Sequence, residues 1–148
     1  MDEKKRNKQL IEKYPFLLPH NRWTDKVDKD YNYEYTELDA MPEGWRKAFG
    51  EQMCQEIKDE LIKASALEKY RIMQIKEKYG SLRWYDNFNT QKGYDIIHKY
   101  EEISARTCIQ CGEPATRVTT GWIAPYCDKC IDDALEYSIP ISEFYEEK

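Results

Sequence analysis

Histidine is nearly missing from this chain: His20 and His98 are the only two among 148 residues, and neither stands in the cysteine-rich segment. A Ser/His/Asp or Cys/His catalytic arrangement therefore has little to draw on. Glycine and proline are scarce too, six of each. No Gly-rich loop is visible that could cradle a phosphate, and no low-complexity linker. No apolar run approaches the roughly 18–20 residues of a membrane span. The opening MDEKKRNKQL is charged and lacks the apolar stretch of a secretory signal. The expectation is a soluble protein of the cytoplasm that is not an enzyme.

Aromatic residues and cysteines are what the chain does have. Twelve tyrosines and four tryptophans are many for this length, and such rings favour core edges and interfaces. Apolar residues make up 41%, enough for one domain's core. The net charge of −5 is unevenly spread. Residues 1–107 carry 20 cationic and 20 acidic side chains, whereas residues 108–148 carry three cations (Arg117, Lys129, Lys148) against eight acids.

The N-terminal part, residues 1–40, reads as an aromatic-rich arm. A short helix is possible over residues 1–13. Pro15 and Pro19 then break regular structure in YPFLLPHNRW, whose apolar side chains suit an extended path over a core. Tyr31, Tyr33 and Tyr35 would share one face of a strand. The arm either packs back on the domain, the favoured reading, or presents an aromatic binding surface.

Residues 41–107 read as an α+β core of helix, β-hairpin and helix. Asp39 is the expected N-cap of a helix starting near Met41, with Pro42 and Glu43 in its first turn. Trp45, Phe49, Met53, Ile57 and Leu61 step by four along it as one apolar stripe. Cys54, at the stripe's edge, is expected to be a buried structural thiol. Ile72–Ile75 and Leu82–Tyr85 are β-prone runs around a Gly-containing loop. A second helix is expected from Gly93 to Arg106, burying Ile96, Ile97, Tyr100 and Ile103 and leaving His98 in solvent.

Residues 108–148 carry the chemistry. Cys108-x2-Cys111 and Cys127-x2-Cys130 stand fifteen residues apart. Two such pairs supply the four thiolates of a tetrahedral zinc site. Gly112 helps the first knuckle turn, because glycine tolerates positive φ. A hairpin of Ala115–Val118 and Trp122–Tyr126 would bring the pairs together. The second pair would open a helix carrying Ile131, Ala134, Leu135 and Ser138 on one face and stopped by Pro140, which describes a treble-clef finger. A redox dithiol or two disulfides are the competing readings, but the βαβ surroundings of a thioredoxin motif are missing. Four sulfurs leave no position for a catalytic water, and no His-x-Glu or Cys-x-Glu precedes the second pair as in a deaminase. One structural Zn2+ is therefore expected. The finger should dock on the core through Trp122 and Ile123, since residues 102–107 contain no glycine or proline.

The acid excess disfavours phosphate contacts by the finger. Small basic patches remain at Lys4, Lys5, Arg6 and Lys8, and around the hairpin at Lys69, Arg71, Lys76, Lys78 and Arg83, interleaved with acids. Action through a protein partner, basic in charge, ranks first. A nucleic-acid-binding zinc-finger regulator is the alternative, and an enzyme ranks last.

The runs YPFLLPHNRW, YTELDAMPEGWRKAFGEQMCQEI, QIKEKYGSLRWY and TCIQCG…GWIAPYCDKC together resemble a family of small proteins encoded by phages, prophages and the bacteria that carry them. The likeness spans nearly the whole chain. That family has no established activity. The resemblance implies a small intracellular accessory protein containing zinc, with Cys108, Cys111, Cys127 and Cys130 matching the closing motif. A phage setting makes inhibition of a host enzyme or defence system one specific form of the partner reading.

Overall fold

The structure is a computed structural model that describes residues 2–146. It is a mixed helix-and-sheet protein in which two small antiparallel sheets are packed with helices, and four cysteines gather near the C-terminal end.

Helix α1 spans Glu3–Lys13, and its Asp2 N-cap accepts a hydrogen bond from the Lys5 amide at 2.9 Å. The chain then turns through a short 3-10 segment, Pro15–Leu17. Tyr14, Phe16 and Leu17 are buried there, and the Phe16 ring meets Tyr70 edge-on at 5.1 Å. This half of the arm covers the core as expected. Further along, the backbone leaves the extended region at Tyr33 (φ 65°), which breaks the expected Tyr31–Tyr35 strand. The three rings gather instead around Tyr31, at 5.0 Å from Tyr33 and 5.5 Å from Tyr35.

Asp39 does not cap the following helix. It belongs to a capping box on the 3-10 segment Glu37–Ala40, where its carboxylate accepts from the Thr36 amide at 2.7 Å, and it also pairs with Arg46. The helix begins after Pro42 as α2 (Glu43–Trp45), passes through a π turn at Arg46–Gly50, and continues as α3 (Glu51–Lys63). The π turn explains the stripe. A step of four residues overshoots an ideal α-helical turn by about 40°, so a strict four-residue repeat drifts around the helix. A wider i→i+5 turn absorbs part of that drift. Trp45, Phe49, Met53, Ile57 and Leu61 all end buried, with Cys54 beside them.

Strands β1 (Ile72–Lys78) and β2 (Ser81–Asp86) form an antiparallel hairpin in which Lys76 stands opposite Arg83 and Lys78 opposite Ser81. The turn is the pair Tyr79-Gly80, with φ of 54° and 81°. Positive φ at both central residues is the mark of a type I′ turn, whose twist matches the strands. Helix α4 runs from Gln91 to Ala105, capped by Thr90. It buries Gly93, Ile97, Tyr100 and Ser104, while Ile96 is half-buried and Ile103 lies exposed, contrary to its expected place on the inner face. Ser104 takes a core position because its hydroxyl is satisfied on both sides. It accepts from the Leu82 amide at 2.8 Å and donates to the Glu101 carbonyl at 2.6 Å.

The C-terminal sheet has the order β4 (Pro125–Tyr126), β3 (Arg117–Thr119), β5 (Ser138–Pro140). The segment after Cys130 is a 3-10 helix, Asp132–Tyr137, rather than an α-helix. Pro140 lies in edge strand β5, where its missing N–H costs no ladder bond, and a short α5 (Ile141–Glu146) follows.

Candidate metal centre

Cys108 follows α4 after two residues. Its amide donates to the Glu113 carbonyl at 2.7 Å, and its carbonyl accepts from the Gly112 amide at 3.0 Å, closing the first knuckle. Gly112 has φ 88°, as its place after the first pair requires. In the second knuckle the amides of Cys130 and Ile131 both donate to the Cys127 carbonyl, at 3.2 and 3.1 Å. The β3–β4 pairing brings the knuckles together, helped by the Thr116 amide donating to the Tyr126 carbonyl at 2.9 Å.

The result is a group of four sulfurs, Cys108, Cys111, Cys127 and Cys130, all within 4.8 Å of one another. Tetrahedral zinc with Zn–S bonds of about 2.3 Å places its sulfurs about 3.8 Å apart, and the Cys111 and Cys127 sulfurs lie 3.5 Å apart. None of the four is in a disulfide, which needs S–S near about 2.05 Å. The donor set therefore fits a soft divalent ion held entirely by thiolates. Among the described residues the group contains no histidine or carboxylate.

Electrostatics agree with a cation. Burial opposes charge on Cys108, but the backbone N–H groups of Cys111, Cys127 and Gln110 prevail and bring its thiol down to about 7. Burial and the three neighbouring sulfurs push Cys130 up to about 12. One thiolate is stabilised by the fold alone, whereas four together need a positive ion among them.

The centre is docked on the core by two glycines. Gly44 donates its amide to the Ile109 carbonyl at 3.0 Å, and a Cβ on Gly44 would stand 2.3 Å from the Cys108 carbonyl oxygen. A Cβ on Gly112 would stand 2.7 Å from the Gly44 carbonyl oxygen. Beside them the buried Trp45 indole donates to the Thr107 carbonyl at 2.9 Å. The expected docking through Trp122 is corrected: the residue is 79% exposed. Its neighbour Ile123 does make the contact, against Gly80 of the β1–β2 turn. Sequence reasoning did not single out Gly44. A glycine early in a helix, where alanine would be preferred, was the available signal.

Other residues singled out from sequence lie apart from this centre. Cys54 is fully buried in the main core, where burial first and the Glu51 charge second push its thiol up. His98 is exposed, 3.8 Å from Glu102 on the same helix. His20 sets its Nδ1 2.7 Å from the Leu18 carbonyl. Among the described residues no helix is long and apolar enough to cross a membrane. No family model matches the chain, and no curated protein or solved structure does.

Proposed function

We propose that this is a non-enzymatic accessory protein of phage or prophage type, held in shape by one Zn2+ in a treble-clef-type finger, that acts in the bacterial cytoplasm by binding another protein. The observation that carries the reading is the all-thiolate centre. A site with four sulfurs and, among the described residues, no histidine or carboxylate has no position for an activated water, so its role is scaffolding. The scaffold presents acids to solvent: Asp128, Asp132, Asp133 and Glu136 are all exposed on the finger. Such a surface speeds encounter with a basic partner and disfavours a nucleic-acid duplex. Exposed Leu135 and Tyr137 stand among those acids and can supply binding energy where they become buried. The end of the acidic EFYEEK tail, residues 147 and 148, lies outside the described residues. Inhibition of a host enzyme or defence system is the specific version of this reading to test.

The experiment is affinity capture from nuclease-treated lysate of the native host, using the zinc-loaded protein and a variant with Asp132→Lys, Asp133→Lys and Glu136→Lys. A basic protein retained by the first and lost by the second is the expected result. Retention of no protein, or equal retention by both, would contradict it.

A further inference from the structure

The two hairpin turns of the molecule meet, and their meeting leaves a groove of about 330 Å³ lined by Lys76, Glu77, Lys78, Tyr79 and Gly121–Ile123. We propose that this groove binds a short segment of single-stranded nucleic acid, with Tyr79 and Trp122 stacking on bases and Lys76 and Lys78 meeting phosphates.

The rings are the first argument. Tyr79 is 72% exposed and Trp122 is 79% exposed. Tyr79 occupies the first central position of a type I′ turn with φ 54°, where Asn, Asp or Gly is the unstrained choice. Its ring is held out into solvent on a strained backbone, with the Lys78 ammonium 5.6 Å from its centroid, and such strain points to use elsewhere. The two turns that carry the rings touch each other. Gly80 packs so closely on Ile123 that an added Cβ would stand 2.9 Å from the Ile123 side chain, which braces one turn against the other.

Charge is the second argument. Lys76 and Lys78 are exposed, and neither takes part in an ion pair among the described residues. Arg83, which pairs with Glu101 at 3.9 Å, stands directly across the sheet from Lys76, and exposed Tyr85 lies two residues on along the same face. Among the described residues Glu77 is the one acid in the lining, and its carboxylate is engaged by the Gly80 amide at 2.9 Å. The finger acids Asp128, Asp132, Asp133 and Glu136 do not line the groove. Lysine ammonium groups suit a phosphate chain as point charges, and exposed rings are the usual platform for unpaired bases. An acidic peptide would satisfy the charges, but among the described residues Ile123 is the only aliphatic side chain in the lining to hold its apolar residues. The protein-partner reading rests on the finger acids, so the two stand or fall separately.

The test is fluorescence anisotropy of the zinc-loaded protein with labelled ten-nucleotide oligo-dT and oligo-U, a duplex of equal length, and a labelled poly-glutamate peptide, at about 50 mM salt where phosphate contacts are little screened. Micromolar binding of a single strand is expected, with log K falling against log salt with a slope of about −1.4 for two phosphates. Trp122→Ala should weaken it about 5- to 150-fold, the range seen for loss of one stacked base. Tyr79→Asn should weaken it similarly while relaxing the turn, so a folding defect cannot account for the loss. Lys76→Glu with Lys78→Glu should abolish it. Single-strand binding weaker than about 1 mM, binding untouched by the paired ring variants, or tighter binding of duplex or poly-glutamate would each overturn the proposal.

Discussion

Replacing Gly44 by alanine sets two physical rules against each other. By helix propensity alone the change should help, since alanine is favoured over glycine in a helix by about 0.5–1 kcal/mol. The docking geometry says the opposite. The new Cβ would lie 2.3 Å from the Cys108 carbonyl oxygen and 2.6 Å from the Ile109 carbonyl carbon and oxygen. These are backbone atoms at the first cysteine knuckle, so no rotamer change relieves the clash. Overpacking of this kind costs about 1–3 kcal/mol. The knuckle can escape only by moving off the helix. That weakens the Gly44 amide bond to Ile109 and the Trp45 indole bond to Thr107, each contributing about 1 kcal/mol net. The balance is a destabilisation of about 2–4 kcal/mol, a downward shift of about 1–2 M in urea midpoint. Urea denaturation of the zinc-loaded protein, followed by tryptophan fluorescence, reads this directly. Gly121→Ala is the control, because nothing lies within 4 Å of its added Cβ, and it should change stability by less than about 0.5 kcal/mol. An unchanged or raised midpoint for Gly44→Ala would refute the close docking of finger on core.

Three further outcomes are expected. Tyr70→Phe should destabilise by about 1–3 kcal/mol, because the Tyr70 hydroxyl accepts from the buried Trp84 indole at 2.9 Å and donates to Asp86 at 2.5 Å; thermal or urea unfolding checks it, and a neutral effect would count against this network. Cys127→Ser should abolish metal binding and loosen residues 108–146 to protease first, while circular dichroism retains the signal of α3 and α4; simultaneous loss of all helical signal would argue against that order. In native zinc-loaded protein no thiol should react with a disulfide reagent near pH 8; a chelator should release four, and Cys54, buried with its thiol pushed up, should react only after full denaturation.

How much of this could be read in the sequence depended on the range of each contact. The cysteine pairs were legible because each knuckle is closed within a few residues, as the Cys108–Gly112 and Cys127–Ile131 bonds show. The Trp45–Leu61 stripe was legible because burial imposes a period, although the π turn that keeps it aligned leaves no local signature. Gly44 was not, since its partner at Ile109 is distant in sequence. Trp122 was misplaced for the same reason: which ring at a hairpin tip turns inward is decided by the meeting of Gly80 and Ile123. Strand β5 was missed because three residues ending in proline read as a stop, and only pairing to β3 makes them a strand. Ile103 was misplaced because the core position it was assigned on hydrophobicity is taken by Ser104, whose hydroxyl is satisfied on both sides.

The central claim is that four thiolates hold one zinc ion as the structural centre of the C-terminal finger. X-ray absorption at the zinc edge, combined with metal analysis of protein purified without added metal, tests it most directly. One zinc per chain is expected, with four sulfur neighbours at about 2.3 Å and no nitrogen or oxygen in the shell. A protein that purifies without zinc, or a shell containing a nitrogen or oxygen ligand in place of a sulfur, would contradict it.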